Sequence, residues 1–197
     1  ALSSAASDVY KRQVGIVGEI FLKFNPFAQK DVTSWLINQK IEVIPPLISD
    51  FFMQGFVNLK VRQNQHLQRK LTPDFVIDWL YKKVQKQINK VNEIGKNFNY
   101  FTPFESIFEK AEKAKQVISL GTQFGEGWLI SGEILSFASQ GVNHVISLQP
   151  FGCIANHIVE KGIEKRIKSL CPQMNILSLD FDLSLIHISE PTRRVVI

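Results

Sequence analysis

The sequence predicts an α/β fold: a mostly parallel sheet with flanking helices, Rossmann-like, interrupted by a helical insertion at about 50–121. Three observations carry this. Segments that read as strands recur at 14–22, 41–48, 143–148 and 174–182, the first a short apolar run rich in β-branched residues. Segments with apolar residues three or four apart lie between them. The first two runs are separated by one short helical segment, the βαβ spacing that favours a parallel pair with a right-handed crossover.

The elements follow in order. "VGIVGEIFL" (14–22) is a buried strand by composition, bounded by "KFNPF". "DVTSWLINQK" (31–40) puts Val32, Trp35 and Leu36 on one helix face, with Asp31 as the expected N-cap. "IEVIPPLI" (41–48) is a second strand stopped by Pro45-Pro46. From Ser49 to about Gly121 the pattern is helical. "TPDFVIDWLYKKVQKQINKVNEIG" (72–95) has Thr72 as cap, Pro73 at the first helical position and Gly95 at the end. Its apolar residues Val76, Trp79, Leu80, Val84, Ile88 and Val91 fall three or four apart. A second helix is predicted through 104–121, joined to the first by the aromatic loop "NFNYFTPF" (97–104), which suggests packing and no chemistry. The last third alternates again, with helices over 128–141 and 154–172 and strands over 143–148 and 174–182.

The two ends read differently. Residues 3–13, "SSAASDVYKRQ", and 183–193, "LSLIHISEPTR", match in-frame translations of the two partner strings of a common transposase sequencing adapter. The expected organisation is therefore an adapter-derived tail at 1–13, a piece of one α/β domain of a larger protein at 14–182, and a second adapter-derived tail at 183–197. The whole chain carries a formal charge of +5; without the ends, 19 basic and 16 acidic residues leave +3. That is weak reason to expect a polyanion, and "KKVQKQINK" reads as a solvated face, so no nucleic-acid partner is expected. No apolar run reaches about 18 residues, so no membrane span is expected. Two cysteines, Cys153 and Cys171, make no disulfide framework, which favours a reduced, cytoplasmic setting.

Ligands of open parallel sheets bind outside the carboxyl ends of the strands. That rule points to the loops after Phe21, Leu148 and Leu179. In "SLQPFGCIANHIVEKG" (147–162), Cys153 falls just past a strand, in the first turn of the next helix, with His157 four residues on. A helix start favours thiolate. Three readings remain open: a buried inert cysteine, an iron–sulfur ligand needing partners from elsewhere, and a Cys–His nucleophile without an evident orienting carboxylate. Cys171, some 27 Å along the same helix at about 1.5 Å per residue, is too far to share the site. "FGEGW" (124–128) is a tight turn opening a helix. Gly125 and Gly127 allow close backbone approach to a ligand, and the helix start offers free N–H groups. A capped turn is the alternative, and Glu126 argues against a bare phosphate. Glu19, inside an apolar run, is either functional or a strand-end residue facing solvent; Asn25-Pro26 makes a turn beside it. No Walker A motif, no GxGxxG after a strand and no zinc-type cysteine spacing is found.

Taken together, "GIVGEIFLKFNPFAQKDV", "PPLISDFFMQGFVN", "FGEGWLISGEIL" and "ISLQPFGCIANHIVEKGIEKRIK" closely resemble the acyl-CoA dehydratase activase-related family, also called CoA-substrate-specific enzyme activases. The resemblance covers nearly all of 14–182 and is to the carboxyl-proximal domain, which is related to the subunits of 2-hydroxyacyl-CoA dehydratase. It implies that "LDFD" (179–182) begins an Asp-rich turn. The related dehydratases hold a 4Fe–4S cluster on cysteines from several α/β domains. An ATP-hydrolysing activator supplies one electron, and dehydration proceeds through a ketyl radical. By this resemblance Cys153 stands where a cluster ligand is expected. Gly125, Glu126, Gly127, Glu19, Asn25 and His157 are the candidate cofactor-binding residues around it, and ATP belongs to a separate domain outside this piece. The implied partners are other domains of the same large protein and an acyl-CoA or a dehydratase. The alternative expectation is a non-catalytic docking or acyl-CoA-binding domain.

Overall fold

The computed structural model describes residues 12–69, 73–98 and 101–181. Its centre is a four-stranded, all-parallel sheet in the order β2-β1-β3-β4, with helices on both faces. The strands are β1 (Gln13–Gly18), β2 (Glu42–Ile44), β3 (His144–Pro150) and β4 (Asn175–Phe181). The expected tails lie outside the described residues except at Arg12 and Gln13. Arg12 O accepts from Glu42 N at 2.9 Å, and Gln13 opens β1 in register with Glu42.

The first apolar run divides. β1 stops at Gly18, and Ile20–Phe24 forms a short helix, α1. Gly18 has φ +109°, and a Cβ there would lie 2.2 Å from Leu148 O, so only glycine lets β1 turn this close to β3. Glu19 then caps α1, its Oε2 accepting from Leu22 N at 3.0 Å. A nine-residue apolar run has no periodicity to separate a strand from a strand plus helix; the glycine and the cap decide it. α2 (Val32–Asn38) follows, but Asp31 does not cap it: its φ is 55° and its side chain makes no cap bond. β2 is only three residues long, because Pro45 cannot donate to a ladder.

The inserted segment contains α3 (Ile48–Asn64), α4 (Asp74–Gly95) and α5 (Ile107–Ala114). Pro73 occupies the N-cap position of α4, one place earlier than expected, and the expected cap Thr72 lies outside the described residues. α5 begins with a capping box between Ser106 and Glu109, a reciprocal pair that satisfies two orphan N–H groups. Only part of the apolar spacing on α4 packs inward. Ile77 is buried, and Tyr81 and Ile88 pack partly inward, Tyr81 edge-on between Phe56 and Phe108. Trp79, Leu80, Val84 and Val91 remain exposed. In the aromatic loop, Asn92 exchanges two hydrogen bonds with the Phe104 backbone at 3.0 and 2.9 Å, and Phe101 meets Phe104 edge-on.

α6 (Gly127–Ser139) is apolar nearly all round and is buried along most of its length, as a helix between two layers must be. The expected helix at 154–172 is two elements: a π-helical segment, Ile154–Glu160, running into α7 (Lys161–Leu170). Three apolar clusters hold the fold. One lies between the sheet and α6, the π segment and α7, around Val17, Ile130, Ile134, Val145 and Ile167. The second lies on the opposite face, where Ile16, Leu148, Leu22 and Leu36 meet. The third joins α3, α5 and α6 through Met53, Val57, Ile107 and Trp128. No helix among the described residues is long and apolar enough to cross a membrane.

Candidate functional site

In a sheet ordered β2-β1-β3-β4 the chain leaves β1 in one direction and β3 in the other. The carboxyl ends of β1 and β3 therefore flank the crevice where such sheets bind ligands. The sequence-predicted residues gather at or beside these ends. Glu19 N donates to Leu148 O at 3.0 Å, which ties the two strand ends together. Ile20 N donates to Glu126 Oε1 at 2.7 Å, which ties α1 to the start of α6. Glu126 is 3% exposed, and burial pushes its carboxyl pKa up, against the pull of the Ile20 N–H and Lys23. Its carboxylate thus faces the interior and fastens two helix starts. Asn25 Oδ1 accepts from Phe27 N at 3.0 Å and Ala28 N at 3.3 Å, closing the turn after α1.

The two glycines of "FGEGW" are required for different reasons. Gly125 has φ +56°, and a Cβ there would meet Ala155 Cβ at an ordinary 3.5 Å. Gly127 has no positive φ, but a Cβ there would lie 2.3 Å from Thr122 O, against backbone. Gly125→Ala should cost about 1 kcal/mol through the left-handed conformation. Gly127→Ala should cost more, about 2 kcal/mol, because the turn itself must move. Urea unfolding of the two variants tests the order; a larger loss for Gly125→Ala than for Gly127→Ala would show that φ and not space governs this turn.

Because Gly125 lies against Ala155, the turn abuts the π segment that carries the other candidates. Cys153 is the N-cap of that segment, half-buried, with Sγ donating to Asn156 Oδ1 at 3.1 Å. Asn156 is fully buried, and its Nδ2 has no partner. His157 N donates to Cys153 O at 2.8 Å. The imidazole is held between the Phe151 ring, edge-on at 5.6 Å, and Asp180, whose Oδ1 is 3.4 Å from Nε2. Its Nδ1 is buried without a partner. Asp180 also faces Lys161 at 3.3 Å. Cys171, by contrast, caps the far end of α7.

Residues that sequence reasoning missed complete the site. β3 turns its odd-numbered residues to the α6–α7 face, so Gln149 enters a buried layer with Ser147. Gln149 Nε2 donates to Glu160 Oε2, and Ser178 Oγ lies 3.1 Å from both Glu160 oxygens. Glu160 is 1% exposed, and burial pushes its pKa up to about 7. Asp180 lies in register with Gln149 on the adjacent strand. The available signal was a serine and a glutamine two apart on one face of a largely apolar strand, and the acid near the end of β4. Among the described residues no group of three or more His, Cys, Asp or Glu side chains is placed to hold a metal ion. A depression of about 360 Å³ lies elsewhere, between the end of α3 and residues 115–120. Compared with known proteins, the chain matches no family model, and neither a curated protein nor a solved structure is significantly similar to it.

Proposed function

We propose that this chain is a piece of an acyl-CoA dehydratase activase-related protein. Its domain takes part in ATP-dependent, one-electron activation of CoA-thioester dehydration, and Cys153 is a thiolate ligand of a 4Fe–4S cluster. The observation that carries the reading is the position of Cys153. It is a free, half-buried thiol just past the carboxyl end of the central strand β3, at the head of the π segment. The donor set fits one corner of a cluster and no more, since the described residues hold no second thiol nearby and no multi-ligand group. The remaining thiolates come from other domains of the larger protein. The cluster would supply one-electron chemistry. This chain's own contribution is to hold Cys153 at the head of the π segment, with Asn156 accepting from the thiol in the metal-free state. His157 is braced beside it by Asp180. Nucleotide hydrolysis belongs to a separate domain, and the acyl-CoA or a dehydratase partner approaches the same strand end. The reading puts the protein in the cytoplasm, where free thiols stay reduced.

The test is anaerobic reconstitution of the full-length protein with iron and sulfide. Cys153→Ala should lose most of the bound iron and the thiolate-to-iron absorbance, while Cys171→Ala should keep both. Equal iron in the parent and the two variants would remove Cys153 as a ligand.

A further inference from the structure

α4 presents two apolar strips to different surroundings. The inner strip, Ile77, Tyr81 and Ile88, packs toward α3 and α5. The outer strip is Leu80, Val84, Val91 and Ile94, which are 45%, 39%, 49% and 72% exposed. With Gln87 between them, these residues follow steps of four, three, four and three, the core spacing of a heptad. Residues 83 and 90 each precede a core position, Val84 and Val91, and so take the outer flanking position. Both are lysines. The opposite flank is Tyr81 and Ile88, already turned to the domain. Lys83 reaches back over the Trp79 ring at 4.6 Å, and among the described residues neither Lys83 nor Lys90 has a carboxylate partner.

From this seam we infer that α4 is a docking helix for an amphipathic partner helix with an apolar heptad stripe bordered by Asp or Glu, supplied from outside these 197 residues. Charge selects the partner. A second copy laid antiparallel would set Lys83 and Lys90 against the same lysines, and one laid parallel would set them against Tyr81 and Ile88, which already pack into the domain and offer no countercharge. An acidic flank pairs with both. Gln87, a polar residue at a core position, penalises shifted registers. The inference is independent of Cys153, which lies in the π segment beside the sheet and not on α4.

Two synthetic three-heptad peptides test it. They share one Leu/Ile stripe and differ only in carrying Glu or Lys at the flanking positions. Each is titrated into the Trp35→Phe variant while tryptophan fluorescence is followed, exposed Trp79 then being the emitter near the seam and Trp128 buried, with binding confirmed by sedimentation. The Glu peptide should bind about tenfold more tightly than the Lys peptide at low salt, and the difference should shrink at high salt. The Leu80→Ser/Val91→Ser double variant, changed only at exposed positions, should keep its helical circular dichroism and lose the Glu peptide. Equal binding of the two peptides, or binding of neither, would overturn the inference. So would a dimer of the protein alone that the double variant dissociates, since a second copy would then occupy the seam.

Discussion

Glu133→Leu should destabilise the domain by about 3–5 kcal/mol, while the double variant Lys23→Met/Glu133→Leu should recover most of that loss. Lys23 Nζ lies 3.2 and 3.3 Å from the two Glu133 oxygens, with the side chains 2% and 1% exposed. A second pair, Lys110 with Asp50, is nearly as buried and close enough that each pair feels the other. Burial pushes both carboxyl pKa values up, and the lysines pull them down. The four charges sum to zero across α1, α3, α5 and α6, beside a small cavity of about 50 Å³ that Lys110 and Glu133 help to line. Removing Glu133 alone leaves Lys23 charged in an apolar interior, which is the costly event. Removing both partners replaces a desolvated pair with hydrocarbon, which is often neutral or better. Urea unfolding of parent, single and double variants measures this. A double variant as unstable as the single would show that the side chains act through shape and not charge.

The central strands β1 and β3 were legible because burial on both faces forces near-continuous apolar runs, while the half-buried edge strands β2 and β4 were legible as short apolar runs after helical segments. The same continuity hid the end of β1, where the apolar character of "VGIVGEIFL" runs unbroken from strand into α1. The helices were legible from their spacing, but spacing gives an arc and not the half that packs. On α4 the apolar arc is wide, and only contact with Phe56 and Phe108 selects Ile77, Tyr81 and Ile88 over Leu80 and Val91. Cys153, His157, Glu19 and the Gly125–Gly127 turn were readable as strand-end and turn residues, and in the structure they lie at or just after the ends of β1 and β3 and in the turn packed against Ala155. Lys23 with Glu133, and Lys110 with Asp50, were not. Their separations of 110 and 60 residues carry no local trace. Nor does the π segment, since nothing in "IANHIVE" distinguishes a widened turn from an ordinary α-turn.

Glu160 should make the domain less stable as pH rises from about 5 to 8, by up to about 3 kcal/mol, and Glu160→Gln should abolish that part of the slope. The folded-state value of about 7 lies above the ordinary carboxyl value of 4.5. Between those values the folded chain therefore holds a proton that the unfolded chain has released. Stability is fully present below about 4.5, falls as pH rises through the window, and stays low above 7. Burial is the main cause. The hydrogen bonds from Ser178 and Gln149 and the charge of Lys161 oppose it, while Glu164 adds to it. No cation is ion-paired with Glu160 among the described residues, since Lys161 and His157 both face Asp180. Asp50, Glu126 and Glu133 are also raised, so the parent's slope has several sources of one sign. The difference between parent and Glu160→Gln removes them. The glutamine keeps the shape of the neutral acid, and its amide can donate to Gln149 Oε1, which has no partner. Parent and variant should thus be nearly equal in stability at pH 5, and the variant the more stable at pH 8, each by urea unfolding. Curves that stay parallel across this range would mean that Glu160 remains ionised in the folded protein, with the network of Gln149 and Ser178 strong enough to hold a buried anion without a cation.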